Sequence, residues 1–273
     1  MGAPAVVSVP TGTSSPGSPI YIATGTDNAL YVRSLTSGWQ RLSTGVTYCL
    51  DNPAGVVANL FAGLLLTVGC QGRDHALWLG QAPITAGSLP VMGDFRSAGG
   101  VLVTGPAVAW MTGFGEPMLF ANGTDGHVWI RALGNPPMDW SPMTTVSGRR
   151  LSCLGHPAAA AVWVPNTGPR GGTMPALFAC HGTDGRVWLS EWNRFGQGWS
   201  DAFTIGGQAV NGVAVAVNPD SATVYVQGTD SGVWRNTVLN DPPHTSSGWS
   251  TLGGTAIGGT GAAALLLARN TPP

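Results

Sequence analysis

One short pattern recurs five times and limits what the whole chain can become: an Asp in a glycine-rich turn, with a large aromatic four residues later. It reads Gly123-Thr124-Asp125-Gly126-His127-Val128-Trp129, and again Gly182-Thr183-Asp184-Gly185-Arg186-Val187-Trp188. It returns at Gly228-Thr229-Asp230 with Trp234, at Gly72-Arg73-Asp74 with Trp78, and at Gly25-Thr26-Asp27 with Tyr31. Successive Asp residues lie 47, 51, 59 and 46 positions apart. A period of this size in a strand-rich sequence means a solenoid, a propeller or an array.

Aligned on the Asp, each unit contains four short strands. A run of small apolar residues comes first, as in Val213-Ala214-Val215-Ala216-Val217, and a second apolar run leads into the Asp turn, as in Met118-Leu119-Phe120. Asp-Gly, Asp-Asn and Asp-Ser pairs suit a tight hairpin, because they tolerate positive φ or bond their own backbone. The third strand carries the aromatic at +4. After a polar loop, the fourth starts at a second aromatic, namely Trp39, Phe95, Trp140, Trp199 and Trp249. Glycine then closes the unit, at Gly45, Gly99-Gly100, Gly148, Gly206-Gly207 and Gly253-Gly254. Runs that are apolar on both faces fit blades covered on both sides by neighbours. The expected fold is all-β, a five-bladed β-propeller of four-stranded antiparallel blades. The expected domain is a single one over residues 1–273, with no substantial helix. The tail from Ala256 through Leu267 resembles the first strand of a unit, so terminal strands are expected to close the ring beside the N-terminal blade. Pro165–Gly172 reads as an inserted hairpin tip, not a linker.

Glycine (41) and proline (21) are abundant enough to raise disorder, but 43% hydrophobic content and 11 Trp assign them to turns in a packed chain of 273 residues. Only 9% of residues are charged, the net charge is -1, and no basic run occurs, which argues against nucleic acid and anionic membrane as partners. No apolar run reaches membrane-spanning length, so no membrane insertion is expected. Met1-Gly2-Ala3-Pro4 lacks the pattern of a signal peptide. Together with the cysteines, this predicts an extracellular protein in its mature form.

Four cysteines allow three pairings, and the repeat register selects one. Cys70 and Cys180 each lie four residues before a repeat Asp, while Cys49 and Cys153 follow the glycine that closes the preceding unit. Cysteine thus enters two at a time, in the second and fourth units. The predicted bridges are Cys49–Cys70 and Cys153–Cys180, against the alternative of four buried thiols. No Cys-x2-Cys occurs and the five His are scattered, so neither a metal nor a cofactor is expected.

The repeated Asp residues read first as turn formers. The +4 aromatics Tyr31, Trp78, Trp129, Trp188 and Trp234 read as sugar platforms or as inter-blade core. Trp140, Trp199 and Trp249 share that ambiguity, and their place after a polar loop favours exposure. Arg131 and Arg235 stand just beyond two of the +4 aromatics, as does Arg33 in the first unit, and read either as groups that stack or hydrogen-bond or as simply solvated charges. Glu191-Trp192-Asn193-Arg194 is a polar-aromatic loop found in one unit alone. Glu116 and Glu191 are the only Glu residues, and the remaining Asp form no catalytic motif. A propeller glycosidase, which needs a carboxylate pair, therefore has little support.

The unit Gly-Thr-Asp-Gly-x-Val-Trp, then Gly-Trp-Ser, then Gly-Gly, resembles the repeat of bacterial propeller lectins of the Photorhabdus lectin family, and of the wider tectonin and tachylectin group. The resemblance covers nearly the whole chain and is clearest over Leu177–Gly207 and Val224–Gly254. The second unit departs, with Arg73 for Thr and Phe95 for Trp. Photorhabdus-type lectins have seven blades, while five repeats resemble the tachylectin count. The resemblance implies a non-catalytic, multivalent binder of monosaccharide units on glycans, with shallow sites between or on blades. Self-association is compatible with it. A cell-surface interaction scaffold is the alternative reading.

Overall fold

The computed structural model describes residues 3–9, 17–43, 48–60, 63–85, 87–111, 116–134, 138–161, 176–192, 198–218, 220–239 and 244–256. Five sheets form a ring, each built from four strands consecutive in sequence. Blade 1 contains β1 (Ala5–Val9), β2 (Ser18–Thr24), β3 (Leu30–Ser34) and β4 (Gln40–Arg41). Blade 2 contains β5 (Ala54–Leu60), β6 (Gly63–Gln71), β7 (Leu77–Ile84) and β8 (Arg96–Gly99). Blade 3 contains β9 (Ala107–Met111), β10 (Glu116–Asn122), β11 (Val128–Ala132) and β12 (Ser141–Pro142). Blade 4 contains β13 (Leu154–Ala161), β14 (Ala176–His181), β15 (Val187–Glu191) and β16 (Phe203–Thr204). Blade 5 contains β17 (Val213–Val217), β18 (Ser221–Gln227), β19 (Val233–Leu239) and β20 (Ser250–Gly253). The structure is thus the five-bladed, all-β propeller expected. The tail beyond Ala256, Gly45, the Pro165–Gly172 insert, Asn193 and Arg194 lie outside the described residues.

The first strands β1, β5, β9, β13 and β17 face the axis and surround a channel of about 100 Å³. Ala5, Ala54, Ala107, Ala158 and Ala214 line it, because space is least there and small side chains let the strands converge. Core residues pack mainly between blades, such as Ile22, Leu66 and Val68 at one junction and Leu189, Val215 and Val224 at another. Burial on both faces explains why these runs lack the two-residue alternation of a half-exposed sheet.

Antiparallel order places the hairpins between second and third strands at the same end of the ring as the connectors from one blade to the next. The hairpins follow one local design. Asn28 N–H donates to Gly25 O at 3.0 Å, and Gly25 N–H to Ala29 O at 2.8 Å, a turn that needs a left-handed residue after the Asp. That residue has φ of 62° at Asn28, 60° at His75, 75° at Gly126, 80° at Gly185 and 63° at Ser231. Glycine two residues before the Asp is required for another reason. A Cβ on Gly182 would sit 2.5 Å from Trp188 Cδ1, because the indole lies across the turn. The connector then bonds the turn of the blade it leaves: Cys49, Leu102, Cys153, Ala209 and Ala256 N–H donate to Asn28, His75, Gly126, Gly185 and Ser231 O.

Both predicted disulfides are present, Cys49–Cys70 and Cys153–Cys180, each within one blade. Each pins a connector to the second strand of the blade it enters.

Candidate functional site

Every repeat Asp accepts a hydrogen bond from its own +4 aromatic. The indole Nε1–H donates at 2.9 Å from Trp78, 3.1 Å from Trp129, 3.0 Å from Trp188 and 3.1 Å from Trp234, and Tyr31 Oη–H donates at 2.9 Å. A backbone N–H two residues after the Asp bonds the same carboxylate. The indole N–H first, with the backbone N–H, holds Asp125 and Asp184 below the ordinary carboxylate range; at Asp74 burial opposes the indole and is outweighed. For Asp27 and Asp230 the backbone N–H comes first. The Asp therefore works as a clip. It holds the aromatic ring across the turn, half-buried.

The aromatic lines a cleft at two successive junctions. Between blades 2 and 3, Gly100, Val101 and Leu102 of the connector face Thr124, Asp125 and Trp129, with Trp140 alongside, around about 330 Å³. Between blades 3 and 4, Arg149, Arg150 and Ser152 face Thr183, Asp184 and Trp188, with Asp201 and Ala202 alongside, again around about 330 Å³. The positions correspond through the repeat: Val101 with Ser152, Thr124 with Thr183, and Trp129 with Trp188.

The second set of aromatics divides. Strand pairing matches Trp129 to Pro142 and Trp234 to Thr251, which places Trp140 and Trp249 two residues before the matched position. Trp188 is matched to Thr204, so the equivalent residue in blade 4 is Ala202, not Trp199. The Gly-Trp-Ser alignment is thus out of register there by three residues. Trp199 is 2% exposed and packs edge-on against Phe120 and Trp192, at 5.5 and 5.3 Å between ring centres. It presents no face to a ligand. Trp140 and Trp249 are half-buried and donate Nε1–H to Ala98 O (3.2 Å) and Ile205 O (3.1 Å), clamping the outer strand of the preceding blade.

Arg131 also donates to Ala98 O, so its guanidinium is held in the blade interface. Arg235 is exposed, with Nε–H 3.4 Å from Ser250 Oγ. Arg33 lies 5.6 Å from the ring centre of Trp39, which is 47% exposed. Glu191 pairs with His244 at 3.6 Å, while Trp192 packs in the core beside Trp199.

The connector residues Val101, Arg149, Arg150 and Ser152, and Asp201, had no aromatic signature to mark them. The available signal was positional. Val101 and Ser152 each stand one residue before the connector residue that bonds the preceding turn, Leu102 or Cys153, and that alignment is the signal that relates them. Blade 3 also carries an extra hairpin, with Thr144 bridged to Arg150, which leans on blade 4 through Val146 N–H to Trp199 O (2.7 Å) and the Ser147 hydroxyl to Asp201. That contact brings Arg149 and Asp201 to the cleft. The Ser147 and then Thr145 hydroxyls hold Asp201 below the ordinary carboxylate range.

At the axial end of the same face, His156 Nε2 lies 3.1 Å from Asp51 Oδ1, a contact that joins blades 2 and 4 across the channel mouth. Burial works to raise the Asp51 carboxyl, but the bond and charge of His156, with Asn52 and Gly105 N–H, outweigh it and leave it lowered. Among the described residues no group of three or more His, Cys, Asp or Glu could hold a metal ion.

No model of a known protein family matches the chain, and no curated protein matches it. Solved structures do. An arginine-to-alanine mutant of AofleA from Arthrobotrys oligospora aligns over 96% of this chain and 74% of its own, with TM-score 0.62 and 10% identity. The lectin SapL1, solved with α-methyl fucoside, aligns over 93% and 80%, with TM-score 0.58 and 17% identity. The α-L-arabinofuranosidase Arb93A from Fusarium graminearum, solved with an iminosugar inhibitor, aligns over 83% and 72%, with TM-score 0.54 and 13% identity. At such identities these likenesses establish the propeller fold, which serves sugar binding in SapL1 and sugar cleavage in Arb93A.

Proposed function

We propose that this protein is an extracellular, non-catalytic, multivalent carbohydrate binder whose sites are the inter-blade clefts. The observation that carries this reading is the repetition of the same cleft at two successive junctions, each lined by a half-buried indole, a Thr and the repeat Asp. A half-exposed indole offers an apolar face to sugar C–H groups. Thr124 and Asp125, or Thr183, Ser152 and Arg149, offer partners for its hydroxyls. Trp129 and Trp188 are the principal platforms, with Trp140 beside the first; Tyr31, Trp78 and Trp234 hold the same place at the other junctions. Arg131 and Trp249 act through blade packing. A monosaccharide buries little area, so each site is weak and a glycan-coated surface is held through several at once.

Two observations support binding over hydrolysis and export over retention. A glycosidase needs one carboxyl kept protonated to serve as acid, with a second carboxyl ionised. Asp184 and Asp201 border the same cleft and are both held in the ionised direction. Two disulfides suit an oxidising compartment, and among the described residues no helix is long and apolar enough to cross a membrane.

A specific feature favours the interaction-scaffold alternative. Leu50, Val103, Leu154 and Val210 hold the same connector position in four junctions and are 42%, 57%, 48% and 45% exposed. They repeat an exposed apolar side chain on the face that carries the connectors, and repeated exposed apolar surface of this kind marks contact with another macromolecule. A glycan array probed with the wild type and with Trp188→Ala separates the two readings. The carbohydrate reading expects glycan signal that weakens in the variant. A folded protein without glycan signal, whose capture of a protein partner is lost on Leu154→Ser, replaces it with the scaffold.

A further inference from the structure

Resting on the carbohydrate reading, we propose that the junction between blades 1 and 2 is a site for a carboxylated sugar, unlike the clefts at the next two junctions. The repeat correspondence locates it. Thr124 and Thr183 border those two clefts, and Thr26 and Thr229 hold the same position in the first and fifth units. The second unit places Arg73 there. On the facing connector, the position of Val101 and Ser152 is held by Tyr48.

The two exceptional residues are in contact. The Arg73 guanidinium lies 3.8 Å from the centre of the Tyr48 ring, within cation–π range. Both are exposed, Tyr48 by 39%. Trp78 lies across the turn that carries Arg73, half-buried and clipped to Asp74 through Nε1–H at 2.9 Å. Among the described residues Arg73 has no acidic partner, whereas Arg186 of blade 4 lies 4.0 Å from Asp184 and Arg131 donates to Ala98 O.

Stacking fixes a guanidinium by its face and leaves the N–H donors along its edge. That edge matches a carboxylate, which accepts two parallel N–H bonds. The Trp78 indole, next to a cation fixed on the Tyr48 ring, therefore selects a sugar with one apolar ring face and one carboxylate. The threonines at the other junctions supply a hydroxyl and no charge, so neutral sugars suit those.

The test titrates the full chain with methyl β-glucuronide and a methyl sialoside against methyl β-glucoside, following heat or tryptophan emission. At least one acid should bind about tenfold or more tighter than the glucoside, since charge-assisted bonds are worth a decade or more. The advantage should shrink with added salt, disappear in Arg73→Thr, which installs the residue of the other four repeats, and survive only in part in Arg73→Lys. The inference is overturned if neither acid binds tighter than the glucoside. It is equally overturned if Arg73→Thr gains a further neutral-sugar site, which would make Arg73 a plug. Neutral sugars that still bind and respond to Trp188→Ala would confine the failure to this junction. Loss of every sugar would remove the carbohydrate reading as well.

Discussion

Trp199 gives the sharpest test of the division between packing and binding. Its indole is 2% exposed and is wedged among Phe120, Phe178 and Trp192 where blades 3 and 4 meet. Trp199→Ala removes a buried aromatic and should cost about 3–5 kcal/mol. For a chain of this size that lowers Tm by roughly 6–20 °C. Trp199→Phe is the informative companion. It leaves a smaller cavity, worth about 1 kcal/mol. It also deletes an indole N–H that is buried with no partner among the described residues, a group whose isolation costs about 1–3 kcal/mol. The two effects oppose, so Trp199→Phe should be near neutral while Trp199→Ala is severe. Differential scanning calorimetry measures both. If Trp199→Ala keeps the wild-type Tm and loses sugar binding, Trp199 is a platform and the register argument is wrong.

Replacing each disulfide by a pair of serines should destabilise by about 3.4 kcal/mol for Cys49–Cys70 and about 3.6 kcal/mol for Cys153–Cys180 in the chain-entropy model, given separations of 21 and 27 residues; urea denaturation checks this, and no change in midpoint would contradict it. The lowered carboxyl of Asp125 predicts a pH dependence of definite sign. Its contribution is complete above the unfolded value of about 3.9 and is lost as pH falls through the lower folded value. The urea-midpoint difference between wild type and Asp125→Asn should therefore stay constant from pH 5 to 7 and shrink only below about pH 4; shrinkage already at pH 5–6 would mean the clip does not favour the ionised form.

Much of the fold was legible because it is written in local chemistry. The Asp turn needs a left-handed residue after Asp and a glycine before it, both visible in sequence, and five such turns mean five blades. The disulfides followed from the same register, since bridge partners recur at fixed distances from the Asp. The environment of each aromatic was not legible, because it depends on the neighbouring blade. Trp140, Trp199 and Trp249 all precede Ser, yet Trp199 alone is carried into the core by its shifted register and the hairpin over it. The indole-to-Asp bond was missed for a related reason. Spacing of four suggests only that the two side chains are near, while the bond depends on a glycine that lets the ring cross the turn. The connector side of each cleft meets its indole only through the closure of adjacent blades, so Arg149, Ser152 and Asp201 carried no mark of function.

The central claim is that sugars sit against Trp129 and Trp188 in the clefts beside the Asp turns. A crystal structure of the protein soaked with a neutral sugar that binds it tests this most directly. The account predicts sugar rings stacked on both indoles, with hydroxyls bonded at Thr124 or Thr183, on the face that carries the blade connectors. Density for the sugar on the opposite face, with both clefts unoccupied, would contradict it.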